Sequence, residues 1–137
     1  MKIAVVYAST TGNTEAMANA INEALVSANA EVVFGTADSA DASAVTSCDA
    51  VLLGSPAMGD EVLEDTMEEF YTGIESGLAG KKVGLFGSYD WGDGQWLRDW
   101  EDRAKSAGAN VVESLMVHLT PEDDDIAKCQ NWAKSIL

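Results

Sequence analysis

The sequence predicts a doubly wound α/β fold: one parallel sheet of five strands between two layers of helices, in a single domain spanning residues 1–137. Three observations predict it. Runs such as Ile3-Ala4-Val5-Val6-Tyr7 and Ala50-Val51-Leu52-Leu53-Gly54 are apolar at consecutive positions, as in strands covered on both faces. Strand-like runs and helical periodicity alternate along the whole chain, at spacings that suit right-handed parallel crossovers. The three most unusual stretches, 8–14, 55–61 and 88–94, each follow the C-terminal end of a strand, which is where such sheets bind ligands.

The first strand, Ile3–Tyr7, passes straight into Ala8-Ser9-Thr10-Thr11-Gly12-Asn13-Thr14. Ala16, Met17, Ala20, Ile21, Ala24 and Leu25 then recur at helical spacing, predicting a helix over Thr14–Ser27 with Thr14 near its N-cap. Ala30–Phe34 reads as the second strand, broken by Gly35, and Asp41–Val45 as one short helix. Ala50–Gly54 is the third strand and, being wholly apolar, central. A loop, Ser55–Glu61, leads to a helix over Glu64–Leu78 whose inward face is Met67, Phe70, Tyr71, Ile74 and Leu78. Lys82–Ser88 is the fourth strand, Tyr89–Gly94 a loop, and Gln95–Ala107 a helix stopped by Gly108. Asn110–Leu119 forms the fifth strand region. Glu122–Ile136 closes the chain as a helix after Pro121, its first turn rich in acids that suit the helix dipole.

Composition narrows the function. The chain carries 23 acidic and 8 basic residues for a net charge of −15, which disfavours nucleic acid and anionic membranes as partners. No apolar stretch approaches membrane-spanning length. The apolar run after Met1-Lys2 spans only about six residues, short of the roughly 7–15 of a secretory core, so a cytoplasmic protein is expected. Cys48 and Cys129 are far apart and fit no metal spacing, so no metal site is expected and both are read as free thiols.

The first loop places hydroxyls, an amide side chain, backbone N–H groups and a helix N-terminus around one point. It lacks the Gly-Lys-Ser/Thr of a triphosphate-binding loop, the three glycines of a dinucleotide fingerprint and the cysteine of a thiol phosphatase. No Lys or Arg occurs between Lys2 and Lys81. A single phosphate monoester held by neutral donors survives these exclusions. The other two loops supply Met58 and Trp91, a polarisable and an aromatic side chain suited to the faces of a planar ligand. No catalytic base is placed near Ser9 or Thr10, so neither is a nucleophile candidate.

Ser9-Thr10-Thr11-Gly12-Asn13-Thr14, Ser55-Pro56-Ala57-Met58-Gly59-Asp60-Glu61 and Gly87-Ser88-Tyr89-Asp90-Trp91-Gly92-Asp93-Gly94 resemble, in order and spacing, the three flavin mononucleotide (FMN) loops of flavodoxins, most closely the short-chain clostridial type. The resemblance implies the strand order 2-1-3-4-5. It also implies bound FMN and a low-potential one-electron carrier that shuttles between semiquinone and hydroquinone and is not an enzyme. Ser9, Thr10, Thr11, Gly12, Asn13 and Thr14, with Ser88, would hold the phosphate. Pro56, Ala57, Met58, Gly59, Asp60 and Glu61 on one side, and Tyr89, Asp90, Trp91 and Gly92 on the other, would enclose the ring. Trp91 would stack on one face, Met58 would cover the other, and Glu61 would accept from the ring N3–H. The Gly59–Asp60 peptide would flip on reduction and point the Gly59 carbonyl at the ring N5; glycine would make this cheap, because interconverting turn types moves positive φ between the two central positions and Gly tolerates it at either.

Acids at 60, 61, 64, 65, 68 and 69, and at 90, 93, 99, 101 and 102, would disfavour a second negative charge on the flavin and offer a docking surface to basic redox partners. Glu68 and Glu69 are read as solvated. Asp90 departs from the glycine frequent at this position in the family. A monomer is expected. An FMN quinone reductase on the same fold is the alternative, and a flavin-free adaptor a more distant one. His118, Trp96, Trp100 and Trp132 are read as structural, with Trp96 near the rim of the site.

Overall fold

The structure, a computed structural model, describes residues 1–137. Five strand positions form one parallel sheet. Strands β1 (Lys2–Tyr7), β2 (Glu31–Thr36), β3 (Ala50–Gly54) and β4 (Lys82–Tyr89) are followed by two short pieces, β5 (Asn110–Val111) and β6 (Leu115–His118), that share the edge beside β4. The spatial order is β2-β1-β3-β4-β5, as the resemblance implies. The helices are α1 (Asn13–Ser27), α2 (Ala42–Thr46), α3 (Asp65–Ile74), α4 (Gln95–Ser106) and α5 (Asp123–Ile136).

The consecutive apolar runs have the cause expected of them. Along β1, Ala4 and Val6 face one hydrophobic layer with Val51, Leu53 and Leu85, roofed by Met67, Phe70 and Ile74 of α3 and by Trp96, Leu97 and Trp100 of α4. Ile3, Val5 and Tyr7 alternate into the opposite layer with Leu52 and Phe86, covered by Met17, Ile21 and Leu25 of α1 and Cys129, Ala133 and Ile136 of α5. Every residue of β3 is buried. All five residues expected on the inward face of α3 and its extension are buried. Burial on this scale contributes roughly 1.5–3 kcal/mol for each large apolar side chain, so both faces must stay apolar.

Three element boundaries differ from the sequence reading. α1 starts at Asn13, with Gly12 as its N-cap at φ 91°, and Thr14 does not cap it. The Ser9 hydroxyl instead accepts the Gly12 and Glu15 amides at 3.1 and 3.3 Å. β2 continues through Gly35 to Thr36, because β1 pairs with it residue for residue to Tyr7↔Thr36. α3 ends at Ile74 and passes into a 3₁₀ turn over Glu75–Gly77 rather than continuing to Leu78.

The fifth strand is split. Between Val83↔Val111 and Phe86↔Leu115 the edge uses four steps where β4 uses three, so one residue bulges out. The Trp132 indole N–H closes the break by donating to the Glu113 carbonyl at 2.6 Å, while its ring packs edge-on to Phe86 at 6.0 Å. Trp96 and Trp100 are fully buried, in keeping with their structural reading.

Glu68, expected to be solvated, instead holds Arg103 through two hydrogen bonds of 2.7 and 2.8 Å. That bridge ties α3 to α4, and the Arg103 guanidinium also lies 4.8 Å from the centre of the Tyr71 ring. The hydrogen bonds from Arg103 hold the Glu68 carboxyl below its ordinary range. No helix is long and apolar enough to cross a membrane.

Candidate functional site

The C-terminal ends of β1, β3 and β4 bring the three unusual loops together. They are laced by backbone bonds: Ala8 N–H donates to Gly54 O at 2.9 Å, Ser55 N–H to Phe86 O at 3.1 Å, and Ala57 N–H to Ser88 O at 3.0 Å. Between them lies a cavity of about 300 Å³ lined by Thr10, Thr11 and Asn13 from the first loop, 56–59 from the second, and 88–91 from the third. Three segments far apart in sequence thus share one concavity.

The first loop contributes a nest of donors. The turn amides of Thr10 and Thr11 donate to no carbonyl or side chain, and the amides of Asn13 and Thr14 open α1, where no intrahelical acceptor exists. The Thr14 and Ser88 hydroxyls are buried and bond each other at 2.8 Å, so β4 pins the start of α1. Arg98, beyond the third loop, is engaged with Asp93 at 2.9 Å. Such a donor set suits an anion bound by neutral groups and a helix dipole.

The second and third loops add apolar side chains to the lining. Met58 and Trp91 both line the cavity, and Trp91 is 59% exposed although it is the largest side chain type available. Met58, Gly59, Asp60 and Glu61 form a turn closed by Glu61 N–H donating to Met58 O at 2.8 Å, and the Met58 amide donates to Val62 O at 2.9 Å. The Gly59–Asp60 peptide makes no backbone bond. Neither Gly59 nor Asp60 has a positive φ in this conformation; the positive value falls on Glu61, at 56°. A flip of that peptide changes ψ of Gly59 and φ of Asp60. Asp60 is therefore the residue that takes up the left-handed conformation on going from a type I-like to a type II turn.

Glu61 joins the second and third loops. One carboxylate oxygen accepts the Trp96 amide at the start of α4 at 3.1 Å, and the other is buried without a partner. The carboxylate lies directly over Gly92, where a Cβ would overlap Glu61 Oε1 and sit 2.6 Å from its Cδ. Gly92 also has φ 89°. The Trp96 indole N–H donates to Ser55 O at 3.2 Å, so Trp96 supports the site from beneath rather than forming its rim.

Of the residues expected at the site, Thr10, Thr11, Asn13, Pro56, Ala57, Met58, Gly59, Ser88, Tyr89, Asp90 and Trp91 line the cavity. Ser9, Gly12, Thr14, Asp60, Glu61 and Gly92 do not. Ser9 faces a neighbouring depression beside Tyr7, Glu15 and Asp38, and shapes the turn through the two amides it accepts. Asp90 has no positive φ, so the backbone there places no demand for glycine.

One segment was missed: His118 and Leu119, at the end of β6. His118 Nε2 lies 2.8 Å from Asp90 O, its ring 4.9 Å from Tyr89, and Leu119 lines the cavity. The available signal was the alternation Leu115, Val117, Leu119 running to the same end of the sheet as the other loops.

A model of the flavodoxin family matches residues 5–132. The chain is similar to the flavodoxin of Megasphaera elsdenii, 46% identical over 134 residues that cover 97% of this chain and 96% of that one. It is also similar to the flavodoxin of Clostridium beijerinckii, 39% identical over 133 residues covering 96% of each. A solved flavodoxin from the domain Archaea superposes with a TM-score of 0.90 at 29% identity, covering 99% of this chain and 96% of that one. The chain belongs to the flavodoxin family.

Proposed function

We propose that the cavity between the three loops is the FMN site and that each loop residue has a separable task there. At the level of the family the function is electron transfer: the chain is an FMN-dependent electron carrier rather than an enzyme, passing electrons to redox partners. FMN supplies the reversible one-electron chemistry. Every other task falls to the protein.

The observation that carries the assignment is that unpartnered amides of the first loop share one cavity with the side chains of Met58 and Trp91. Thr10, Thr11, Asn13 and Thr14 hold the phosphate through amides and hydroxyls, with Ser88 behind Thr14. Gly12 and Ser9 set the turn. Neutral donors leave the phosphate its negative charge, and no salt bridge in the first loop offsets it. Trp91 and Met58 bracket the ring, and Pro56, Ala57, Tyr89 and Asp90 complete its walls. Glu61 has one carboxylate oxygen left over after its bond to Trp96, and that oxygen is the acceptor for the ring imide. The Gly59–Asp60 peptide makes no backbone bond, so its carbonyl would be available as a hydrogen-bond acceptor for the flavin edge. A hydrogen bond of that kind is worth about 1 kcal/mol, or roughly a tenfold bias per 1.4 kcal/mol.

The acidic surface around this end supports a docking face for partners that present basic patches. In this reading the chain acts as a cytoplasmic monomer of one domain. Nothing in the geometry favours the quinone-reductase alternative.

The test is titration of the FMN-free chain with FMN, followed by quenching of flavin fluorescence, with inorganic phosphate as competitor. Tight stoichiometric quenching, weakened in Trp91→Ala, is expected. Absence of binding would overturn the assignment.

A further inference from the structure

We propose that Leu119 is a fourth wall of this pocket, an apolar side chain held against the flat ring by a strained backbone. The inference rests on the cavity being the FMN site.

The placement comes first. Leu119 lines the same cavity as Met58 and Trp91, yet it is 45% exposed and belongs to neither hydrophobic layer of the core. The protein alone leaves nearly half of this residue uncovered. Trp91, which lines the same cavity, is also left exposed, at 59%. A planar apolar group entering the cavity covers both.

The backbone makes the second, independent point. Leu119 adopts φ 62°, a left-handed conformation that Gly or Asn takes readily and a leucine does not. Strain of this sort persists only where surrounding bonds over-determine it, and it gathers at ligand sites. Here the bonds are visible. Leu119 N–H donates to Tyr89 O at 2.7 Å, and the preceding His118 approaches Asp90 O with Nε2 at 2.8 Å. β6 pairs His118 directly with Tyr89. The segment is thus clamped to the very loop that carries Trp91, and the two apolar side chains keep a fixed relation.

Leu119→Asn and Leu119→Gly relieve the strain while removing the wall, so stability and affinity move in opposite directions. The FMN-free chain of either variant is expected to melt at the wild-type temperature or above. Covering half of a leucine gives an affinity loss of about fivefold. Because the contact is with the ring, that loss is the same for FMN and for riboflavin, and Leu119→Met restores most of it.

The measurement is flavin fluorescence titration of wild type and the three variants with both flavins, beside thermal melts without flavin. Unchanged affinity in the Asn and Gly variants overturns the proposal. A loss confined to FMN, which would place the effect at the phosphate, overturns it too, as does a loss that tracks a lowered melting temperature. Wild type failing to bind either flavin would instead remove the FMN assignment itself.

Discussion

Gly92→Ala probes the joint between the second and third loops most sharply. The added methyl overlaps the Glu61 carboxylate, and the residue must hold φ 89° with a side chain. The backbone strain costs about 1–2 kcal/mol. Displacing Glu61 breaks its bond to the Trp96 amide, and a hydrogen bond to a charged group is worth about 1.5–3 kcal/mol. The same carboxylate supplies the free oxygen assigned to the ring imide. FMN binding should therefore weaken by about 10- to 100-fold, beside a loss of stability in the FMN-free chain. Flavin fluorescence titration and urea denaturation measure the two effects separately. A double-mutant cycle isolates the clash: with Glu61 already replaced by Ala, Gly92→Ala should cost only its backbone strain and leave FMN affinity almost unchanged. Equal losses of affinity in both backgrounds, or none in either, would refute the reasoning.

Other expectations follow from the charges and the core. Asp90 is exposed at the cavity wall, and Asp90→Gly should raise the more negative of the two flavin potentials by on the order of tens of millivolts; an unshifted redox titration would contradict this. Arg103 depresses the Glu68 pKa, so the bridge contributes stability above the unfolded carboxyl's range and loses it as pH falls through the depressed value. The stability gap between wild type and Glu68→Gln should accordingly be present at neutral pH and close under acid, as urea melts at both pH values would show. Burial pushes the Cys129 thiol up to about 11, and also raises Cys48. Neither should react with a thiol-specific reagent until the protein unfolds; fast labelling in native conditions would count against the burial of both.

The sheet could be read from the sequence because β1, β3 and β4 are apolar at consecutive positions, which only a doubly covered strand requires; its strand order rested on the family resemblance of the three loops. The loops were readable because ligand chemistry, rather than packing, selected their residues. What escaped the sequence was set by tertiary pairing. β2 passes through Gly35 because β1 supplies its partners, against local propensity. The one-residue bulge in the fifth strand depends on Trp132 reaching Glu113 from α5. The cap at Gly12 depends on Ser9 reaching forward. Leu119 was hidden for a similar reason: its left-handed backbone is imposed by bonds to Tyr89 and by its neighbour's bond to Asp90. Glu68 was misjudged because Arg103 lies on another helix, 35 residues away.

Neither Gly59 nor Asp60 has a positive φ in this turn, and a flip of the peptide between them to a type II turn would place one on Asp60. Aspartate tolerates that conformation better than most side chains.

The central claim is that this chain moves electrons one at a time. It is tested most directly by recording the absorption spectrum of the FMN-loaded protein during stepwise anaerobic reduction. A yellow protein that turns blue after one electron and colourless after the second, in two well-separated steps, is expected. Direct passage from yellow to colourless in a single two-electron step would contradict it.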